Sequence, residues 1–379
     1  MGEQQTSRIE TLDWLRGLMA LSIMFYHLTI WMIVPLDSSS PLGRLGVYGV
    51  SIFFVLSGLS MAIVYNRYIN SFRNSVNFYV RRIFRIWPLL WVVCILVILP
   101  VYNKTGTYDW QLFFLNTTTL FGFIKPEAYI AAGAWSIGNE MVYYALTPLI
   151  FFLYNYSKRA GNIFFLISLA IGLYFAFVLL NPHKNIMPQW TLYVHPLNNL
   201  FLYVMGIAIY YNFRNIQLNQ AFNVTLLVVA IVLFCLLPYS GNQISIVSGS
   251  GRLVFSALSF LVVFSFYKLN IELPAFISKP LETFGIATYG VYLIHPVVHY
   301  FIKDFFFKSG ISNNYLLYLL VVIFTVLLSV ISYKYFELKM IILGKKVTSQ
   351  DFHQPTLLKL KLIRELRSQH KSPGKQRIP

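Results

Sequence analysis

Residues 12–34 have the sequence LDWLRGLMALSIMFYHLTIWMIV, and this run alone is enough to suggest a membrane protein. A helix needs roughly 20 mostly apolar residues to cross the hydrocarbon of a bilayer, and the run has that length. It nevertheless carries Asp13, Arg16 and His27. No small-residue cleavage site follows it, so we predict a retained membrane helix and not a signal peptide.

Similar apolar runs follow along most of the chain. Hydrophobic residues make up 57% and charged residues 11% of the 379 residues, and the mean hydropathy is +0.62. This composition excludes a disordered protein, a nucleic-acid-binding domain and an ordinary soluble enzyme. We therefore predict an all-α, polytopic membrane helix bundle of about ten transmembrane helices. The predicted spans are residues 12–34, 46–65, 83–101, 135–155, 163–180, 191–211, 222–238, 252–268, 283–302 and 315–336.

The segment 110–124 is apolar but interrupted by Asn116 and three threonines. We expect it to lie on the membrane surface or to re-enter the bilayer without crossing it. The two cysteines, Cys94 and Cys235, both lie within apolar runs and are interpreted as packing residues.

The basic residues give the orientation. The net charge is +17, from 30 Lys and Arg against 13 Asp and Glu, and the basic residues cluster in short segments between the apolar runs. An even number of spans places both termini on one side, and the positive-inside rule then predicts that both are cytoplasmic, in the inner (plasma) membrane. Residues 1–340 are the predicted transmembrane domain and residues 341–379 a basic cytoplasmic tail. Within that tail, 356–367 is either an amphipathic helix on the anionic inner leaflet or a solvated segment that enforces topology.

Arg16 and His27 are the first candidate site residues. Their separation is close to three helical turns, or roughly 16 Å along the axis, so both side chains share one helix face. Ionisable groups inside a span are costly and are functional candidates for that reason. A neutral imidazole accepts and returns a proton near pH 7, which makes His27 a candidate general base. For Arg16, a snorkelling anchor at the helix end is an equally good interpretation.

A second candidate lies in RRIFRIWP at residues 81–88. Arg82 and Arg85 are three positions apart and project side by side from a helix. Two guanidinium groups in this arrangement suit the oxygens of a phosphate. Spacing alone favours the simpler interpretation, an anchor at the inner interface beside Trp87.

The stretch WSIGNEMVYY at 135–144 places Glu140 inside the fourth predicted span, at about the depth of His27. We expect a buried carboxylate to be paired or protonated, and a Glu140–His27 pair would orient the imidazole. Ser57 is either a nucleophile or a serine bonded to its own helix backbone. His295 and His299 have the spacing of a metal pair, but no carboxylate or cysteine lies one helical turn from either of them, so we predict no metal site.

Taken together, these stretches resemble the membrane-bound acyltransferase-3 family of integral membrane O-acyltransferases. The resemblance runs in order through the chain up to about residue 337. It is carried by LDWLRGLMALSIMFYH at 12–27, GVSIFFVLSG at 49–58, RRIFRIWP at 81–88, WSIGNEMVYYALTP at 135–148 and YGVYLIHP at 289–296.

The resemblance implies transfer of an acyl group, usually acetyl, from cytoplasmic acyl-CoA to a hydroxyl of a cell-surface glycan. Acceptors typical of the family are O-antigen, capsule, exopolysaccharide or peptidoglycan, free or lipid-linked. The family's first-span arginine and histidine fall on Arg16 and His27, its R-x-x-R on Arg82 and Arg85, and its later carboxylate on Glu140. Many relatives have a second acidic residue there, whereas this chain has Met141. We also expect no C-terminal extracytoplasmic hydrolase-like domain.

The family resemblance does not identify the group that polarises the thioester carbonyl. The candidates for this group are Ser57, Asn139 and Trp135, and the candidates for substrate contacts are Ser57, Trp135, Ser136, Asn139 and His295. Two other function classes stay open on sequence grounds: a transporter or flippase of polysaccharide intermediates, and a non-catalytic assembly scaffold. A scaffold would leave His27 without a function. The arginine pair at one end of the predicted bundle and the lack of internal repeats both argue against a transporter.

Overall fold

The computed structural model describes residues 9–349, and within this range the chain is helical with no strand, which confirms the all-α prediction. The helices are α1 (Glu10–Met32), α2 (Pro41–Tyr65), α3 (Phe72–Thr105), α4 (Trp110–Thr117), α5 (Phe121–Ile124), α6 (Trp135–Tyr156), α7 (Lys158–Tyr174), α8 (Trp190–Val194), α9 (Pro196–Phe213), α10 (Gln220–Leu236), α11 (Ile244–Val247), α12 (Gly249–Lys268), α13 (Ala275–Lys308), α14 (Asn314–Ser332) and α15 (Leu338–Thr348). Helix α7 continues into a π-helical turn, and a second π-helical turn joins α14 to α15.

Six of the described helical segments are long and apolar enough to cross a membrane: α1, α2, α3, α7 with its π-helical turn, α12, and α14 continued through α15. The pair α8–α9, preceded by a short 3₁₀ turn and bent by 48°, makes a seventh if it is one span. Helix α10 is shorter, and α6 and α13 are long but less apolar. Every predicted span coincides with a helix or helix pair, whereas the count of ten spans and the cytoplasmic position of both ends stay predictions.

The segment 110–124 forms two short helices, α4 and α5, and neither is long enough to span a bilayer.

The predicted domain boundary at residue 340 falls inside α15, which packs against α3. The two helices are so close at Gly344 that a Cβ added there would lie only 2.7 Å from Cβ of Phe84. The predicted amphipathic segment 356–367 lies outside the described residues.

Two close helix pairs build the core. Helix α1 packs along α13, and α2 packs along α9. In the first pair, a Cβ on Gly285 would lie 2.3 Å from the carbonyl oxygen of Asp13, and one on Gly17 would lie 2.9 Å from the amide nitrogen of Gly285. In the second pair, a Cβ on Gly206 would lie 2.0 Å from the carbonyl oxygen of Val55. Such small residues let helix backbones touch, which is how membrane helices gain packing energy.

We expect Gly206→Val to destabilise the fold by at least about 2 kcal/mol, because its side chain would overlap the backbone of α2. Thermal unfolding of the detergent-solubilised protein, monitored by size-exclusion chromatography of heated samples, measures this loss of stability. The control is Gly106→Asn at the end of α3. That site has open space and a φ of 68°, a conformation that asparagine tolerates. Equal melting temperatures for Gly206→Val and wild type would contradict the close α2–α9 contact.

Candidate active site

A cavity of about 450 Å³ lies at the end of the bundle where α1 begins, α2 ends and α3 begins. Helices α6, α13 and α15 complete its wall. Helices α6 and α13 are the two long helices that are less apolar than a membrane span, and they contribute polar side chains to the cavity, including Ser136, Glu140 and Tyr289. Part of their reduced hydropathy therefore comes from side chains that line the site.

The cavity is strongly basic. Of the described residues that line it, five are basic and two are acidic. The basic residues are Arg16, Arg81, Arg82, Arg85 and Lys345, and the acidic residues are Asp13 and Glu140. Cations gathered in a cleft with apolar walls create a positive potential that attracts anions.

Arg16 is held in place by its neighbours. Its Nη1 donates to Oδ1 of Asp13 at 2.6 Å, and its Nη2 donates to the hydroxyl of Ser60 on α2. The ion pair with Asp13 spans one turn of α1, and the bond to Ser60 ties α1 to α2. Arg16 is thus oriented by the protein, unlike a side chain that merely snorkels to water.

Arg82 and Arg85 differ in environment although both line the cavity. Arg82 is only 8% exposed; its Nη2 donates to the hydroxyl of Tyr65 at 2.8 Å, and its guanidinium lies over the Tyr65 ring at 5.0 Å. Its Nε is buried without a hydrogen-bond partner among the described residues. Arg85 is exposed and makes no hydrogen bond or ion pair within residues 9–349. The pair therefore offers one preordered and one free guanidinium.

Arg81 and Lys345 extend the basic wall towards α15. Arg81 Nε donates to the hydroxyl of Thr348 at 2.7 Å, and its guanidinium lies 4.7 Å above the Tyr68 ring. Lys345 is exposed on the adjacent turn of α15. The sequence analysis missed Lys345 because residues beyond 340 were assigned to a tail, and the only signal was the apolar pattern that continues past that point.

Glu140 and Ser57 also line the cavity. Glu140 makes no hydrogen bond or ion pair within the described range 9–349. Ser57 Oγ lies 3.1 Å from the hydroxyl of Tyr144, so its partner is a tyrosine on α6 and not its own helix backbone. Tyr144 was missed at the sequence level, although it lies one helical turn from Glu140 and hence on the same face.

Tyr292 is the last residue along α13 that lines the cavity. The hydroxyl of Tyr292 donates to the carbonyl of Gly133 at 2.9 Å and lies 2.9 Å from Oγ of Ser136. Gly133 has a φ of 82°, and a Cβ there would lie 2.9 Å from the same hydroxyl. This fixed phenol ring lines the basic cavity and also contacts the next polar cluster along α13.

That next cluster contains His27 and His295. Nδ1 of His27 lies 3.0 Å from Nε2 of His295, and the ring of His27 stacks on Trp31 at 5.0 Å with an angle of 3°. The ring centroid of His295 is 6.5 Å from that of Tyr292. His27 is thus connected to Tyr292 through His295, and it is not among the residues that line the cavity.

The expected hydrogen bond between His27 and Glu140 does not occur within residues 9–349, where the hydrogen-bond partner of His27 is His295. The physical reason is that equal depth in a bilayer does not fix lateral position. His27 lies on α1, which packs along α13, so its neighbour comes from α13 and not from α6.

Two other predicted residues also lie away from the cavity wall. Trp135 is buried against Trp190 and Tyr193, at ring distances of 6.0 and 5.5 Å. Asn139 is fully buried, and neither amide atom has a partner in the described part of the chain. The described residues also contain no group of three or more His, Cys, Asp or Glu side chains arranged to hold a metal ion.

Known proteins give the chemical class. A family model described as an acyltransferase domain matches residues 9–334. The chain is 22% identical to the O-acetyltransferase OatA of Staphylococcus aureus, over 86% of this chain and 56% of that protein. It is 28% identical to the putative acetyltransferase ORF330 of Acidianus two-tailed virus, over 74% of this chain and 80% of that protein.

A third relative is nodulation protein 10 of Rhizobium leguminosarum bv. viciae, 26% identical over 42% of this chain and 48% of that protein. The chain thus spans about half the length of OatA and of nodulation protein 10. No solved structure matches it. Since the family model covers most of the chain and the relatives include O-acetyltransferases, the chain belongs to the acyltransferase-3 family and is an acyltransferase.

Proposed function

We propose that this protein is an acyl-CoA-dependent O-acyltransferase, in practice an O-acetyltransferase, that modifies hydroxyls of a cell-surface polysaccharide such as O-antigen, capsule or exopolysaccharide. The observation that carries the proposal is the cavity lined by five basic side chains in a chain of the acyltransferase-3 family. The positive-inside argument orients the mouth of this cavity to the cytoplasm, where acyl-CoA is found.

The basic wall suits the donor. Coenzyme A carries a pyrophosphate and a further phosphate, and planar guanidinium groups bind phosphate oxygens in bidentate geometry. Arg82 is held by Tyr65, whereas Arg85 is free to engage an anion. Arg16, fixed by Asp13 and Ser60, adds a third guanidinium on another helix. We assign Arg16, Arg82 and Arg85 to the donor.

His27 is the proposed general base. The acceptor hydroxyl gives its proton to the imidazole as its oxygen attacks the thioester carbonyl. The tetrahedral intermediate then collapses, the C–S bond breaks, and the thiolate takes up the proton from His27. Ser136 and Tyr292 line the cavity, and Tyr292 also contacts His295, so their hydroxyls are the proposed hydrogen-bonding groups for the carbonyl of a thioester bound there.

The acceptor should approach His27 from the other end of the bundle. His27 is half-buried, and its Nε2 is not completely buried. Glu140 lines the donor cavity and belongs to the donor side in this proposal.

Comparison of surface glycans by mass spectrometry, with and without the gene, tests the activity as a whole: an unchanged set of acyl esters would favour the transporter alternative.

For the donor site, we expect the double variant Arg82→Lys, Arg85→Lys to bind acyl-CoA about tenfold more weakly, because an ammonium cannot form the bidentate contacts. Calorimetry of the purified protein in nanodiscs measures the affinity. The control is Arg214→Lys. Arg214 stacks on Tyr210 at 5.1 Å and donates to its hydroxyl at 3.3 Å, much as Arg82 does with Tyr65, but it lies outside the cavity. Wild-type affinity in the double variant would identify the arginines as topology anchors.

For the base, we expect His27→Ala to lower kcat by about 10²- to 10⁴-fold, the usual contribution of general base catalysis, while the protein stays folded and membrane-embedded. An acyl-transfer assay with the purified, monodisperse variant gives the rate. His183→Ala, in an exposed loop, is the control and should retain the wild-type rate. A normal rate in His27→Ala would end the base assignment.

For Glu140, we expect its effect to be independent of His27. Glu140 lines the cavity, His27 does not, and the two are not hydrogen-bonded, so Glu140→Gln and His27→Gln should lower the rate by factors that multiply in the double variant. Rates above background in a double-mutant cycle measure this. A double variant no slower than His27→Gln alone would instead show the coupled Glu–His unit that the sequence suggested.

A further inference from the structure

His295 makes two hydrogen bonds that together determine its protonation pattern. Its Nδ1 lies 2.9 Å from the carbonyl oxygen of Val291, one turn earlier on α13. A carbonyl oxygen only accepts hydrogen bonds, so Nδ1 of His295 must carry the proton. In a neutral imidazole the other nitrogen then has the lone pair. Nε2 of His295 is therefore an acceptor.

This assignment determines the tautomer of His27. Nδ1 of His27 lies 3.0 Å from Nε2 of His295, and since the latter accepts, Nδ1 of His27 must donate. The remaining nitrogen of His27, Nε2, then holds the lone pair. It makes no hydrogen bond within residues 9–349, and it is not completely buried. The atom left available to a substrate is the basic one.

Packing holds both rings in this arrangement. His295 is 1% exposed and its ring lies nearly parallel to that of His27, 5.2 Å away with an angle of 15°. Trp31 stacks on the opposite side of the cluster, between His27 and His299, at 5.0 Å from each. Rotation of the His27 ring would lose the bond to His295, so the donor and acceptor nitrogens are not interchangeable.

We propose that His295 is a positioning residue that fixes His27 in the tautomer with Nδ1 protonated and Nε2 free to act as base. The proposal rests on the function proposed above, in which His27 removes the proton of the acceptor hydroxyl. That proton goes to Nε2 of His27 and later to the thiolate of the donor, while the bond from Nδ1 to His295 is kept throughout. In serine hydrolases a carboxylate holds the catalytic histidine in this way; here a backbone carbonyl does so through a second imidazole.

The direct test is ¹⁵N NMR of histidine-labelled protein in nanodiscs, since protonated and bare ring nitrogens differ in chemical shift. The signals of His27 are assigned by subtraction of the spectrum of His27→Gln. In wild type we expect a proton on Nδ1 and none on Nε2. In His295→Phe, which keeps a ring but removes the acceptor, we expect that preference to be lost. A proton on Nε2 of His27 in the resting wild type would overturn the proposal, whatever the enzymatic rates.

Kinetics give the second readout. His295→Phe should lower kcat about 10- to 100-fold, a part of the general base contribution, with the KM for acyl-CoA changed by less than about twofold. His295→Gln should restore most of the rate, because the glutamine oxygen lies near the position of Nε2 and accepts the same bond. His299→Phe is the matched control: it keeps the stack on Trp31, and His299 makes no hydrogen bond within the described residues.

The outcomes separate the two levels of the proposal. A wild-type kcat in His295→Phe, together with inactive His27→Ala, would overturn the positioning role and leave the base intact. Full activity in His27→Ala would instead remove the proposed base, while the NMR result still reports the tautomer. If His295→Phe does not fold, the glutamine variant and the wild-type spectrum decide the question.

Discussion

The backbone contact between α1 and α13 is the constraint on which the rest of the site depends. Gly17 and Gly285 let the two helices approach until a single added Cβ would overlap the opposite main chain. Below this contact, α1 brings Asp13 and Arg16 into the basic cavity. Above it, the same two helices bring His27 within hydrogen-bonding distance of His295. A wider separation would break the histidine pair and open the cavity wall together, so one packing contact serves both halves of the site.

Membrane solvation explains which helices carry polar groups. A polar side chain facing lipid is costly, and a polar wall therefore has to be enclosed by other helices. Helices α3, α10 and α14 present many exposed large apolar side chains, such as Ile95, Val228 and Leu327, and their buried fraction is low in α3 and α14. Helices α6 and α13 need not be as apolar because part of their surface faces the cavity. The hydropathy of a helix thus reflects its place in the bundle as well as its ability to span.

The same physics sets what could be predicted from sequence. Apolar runs predicted the helices, and helix periodicity placed Arg82 and Arg85 on one helix face. In the structure both residues line the same cavity. Lateral neighbours were not predictable, because hydropathy gives depth and not the order of helices around the bundle. For this reason Glu140 was given the wrong neighbour, and the partner role of His295 was missed although both histidines were noted. Lys345 was missed because charge near a span end is typical of a tail as well as of a binding wall.

The burial of Arg82 bears on the two interpretations of the arginine pair. An anchor arginine is stabilised because its guanidinium reaches water or lipid headgroups while its methylenes stay in the apolar region. Arg82 does not fit this description, since it is nine-tenths buried, stacks on Tyr65 and leaves Nε without a partner in the described residues. A buried cation with an unmet donor is costly unless an anion completes it. Arg85, being exposed, satisfies the positive-inside rule by itself. The topological role therefore does not require Arg82 to be buried at the cavity wall, whereas binding an anionic ligand there would give that burial a physical reason.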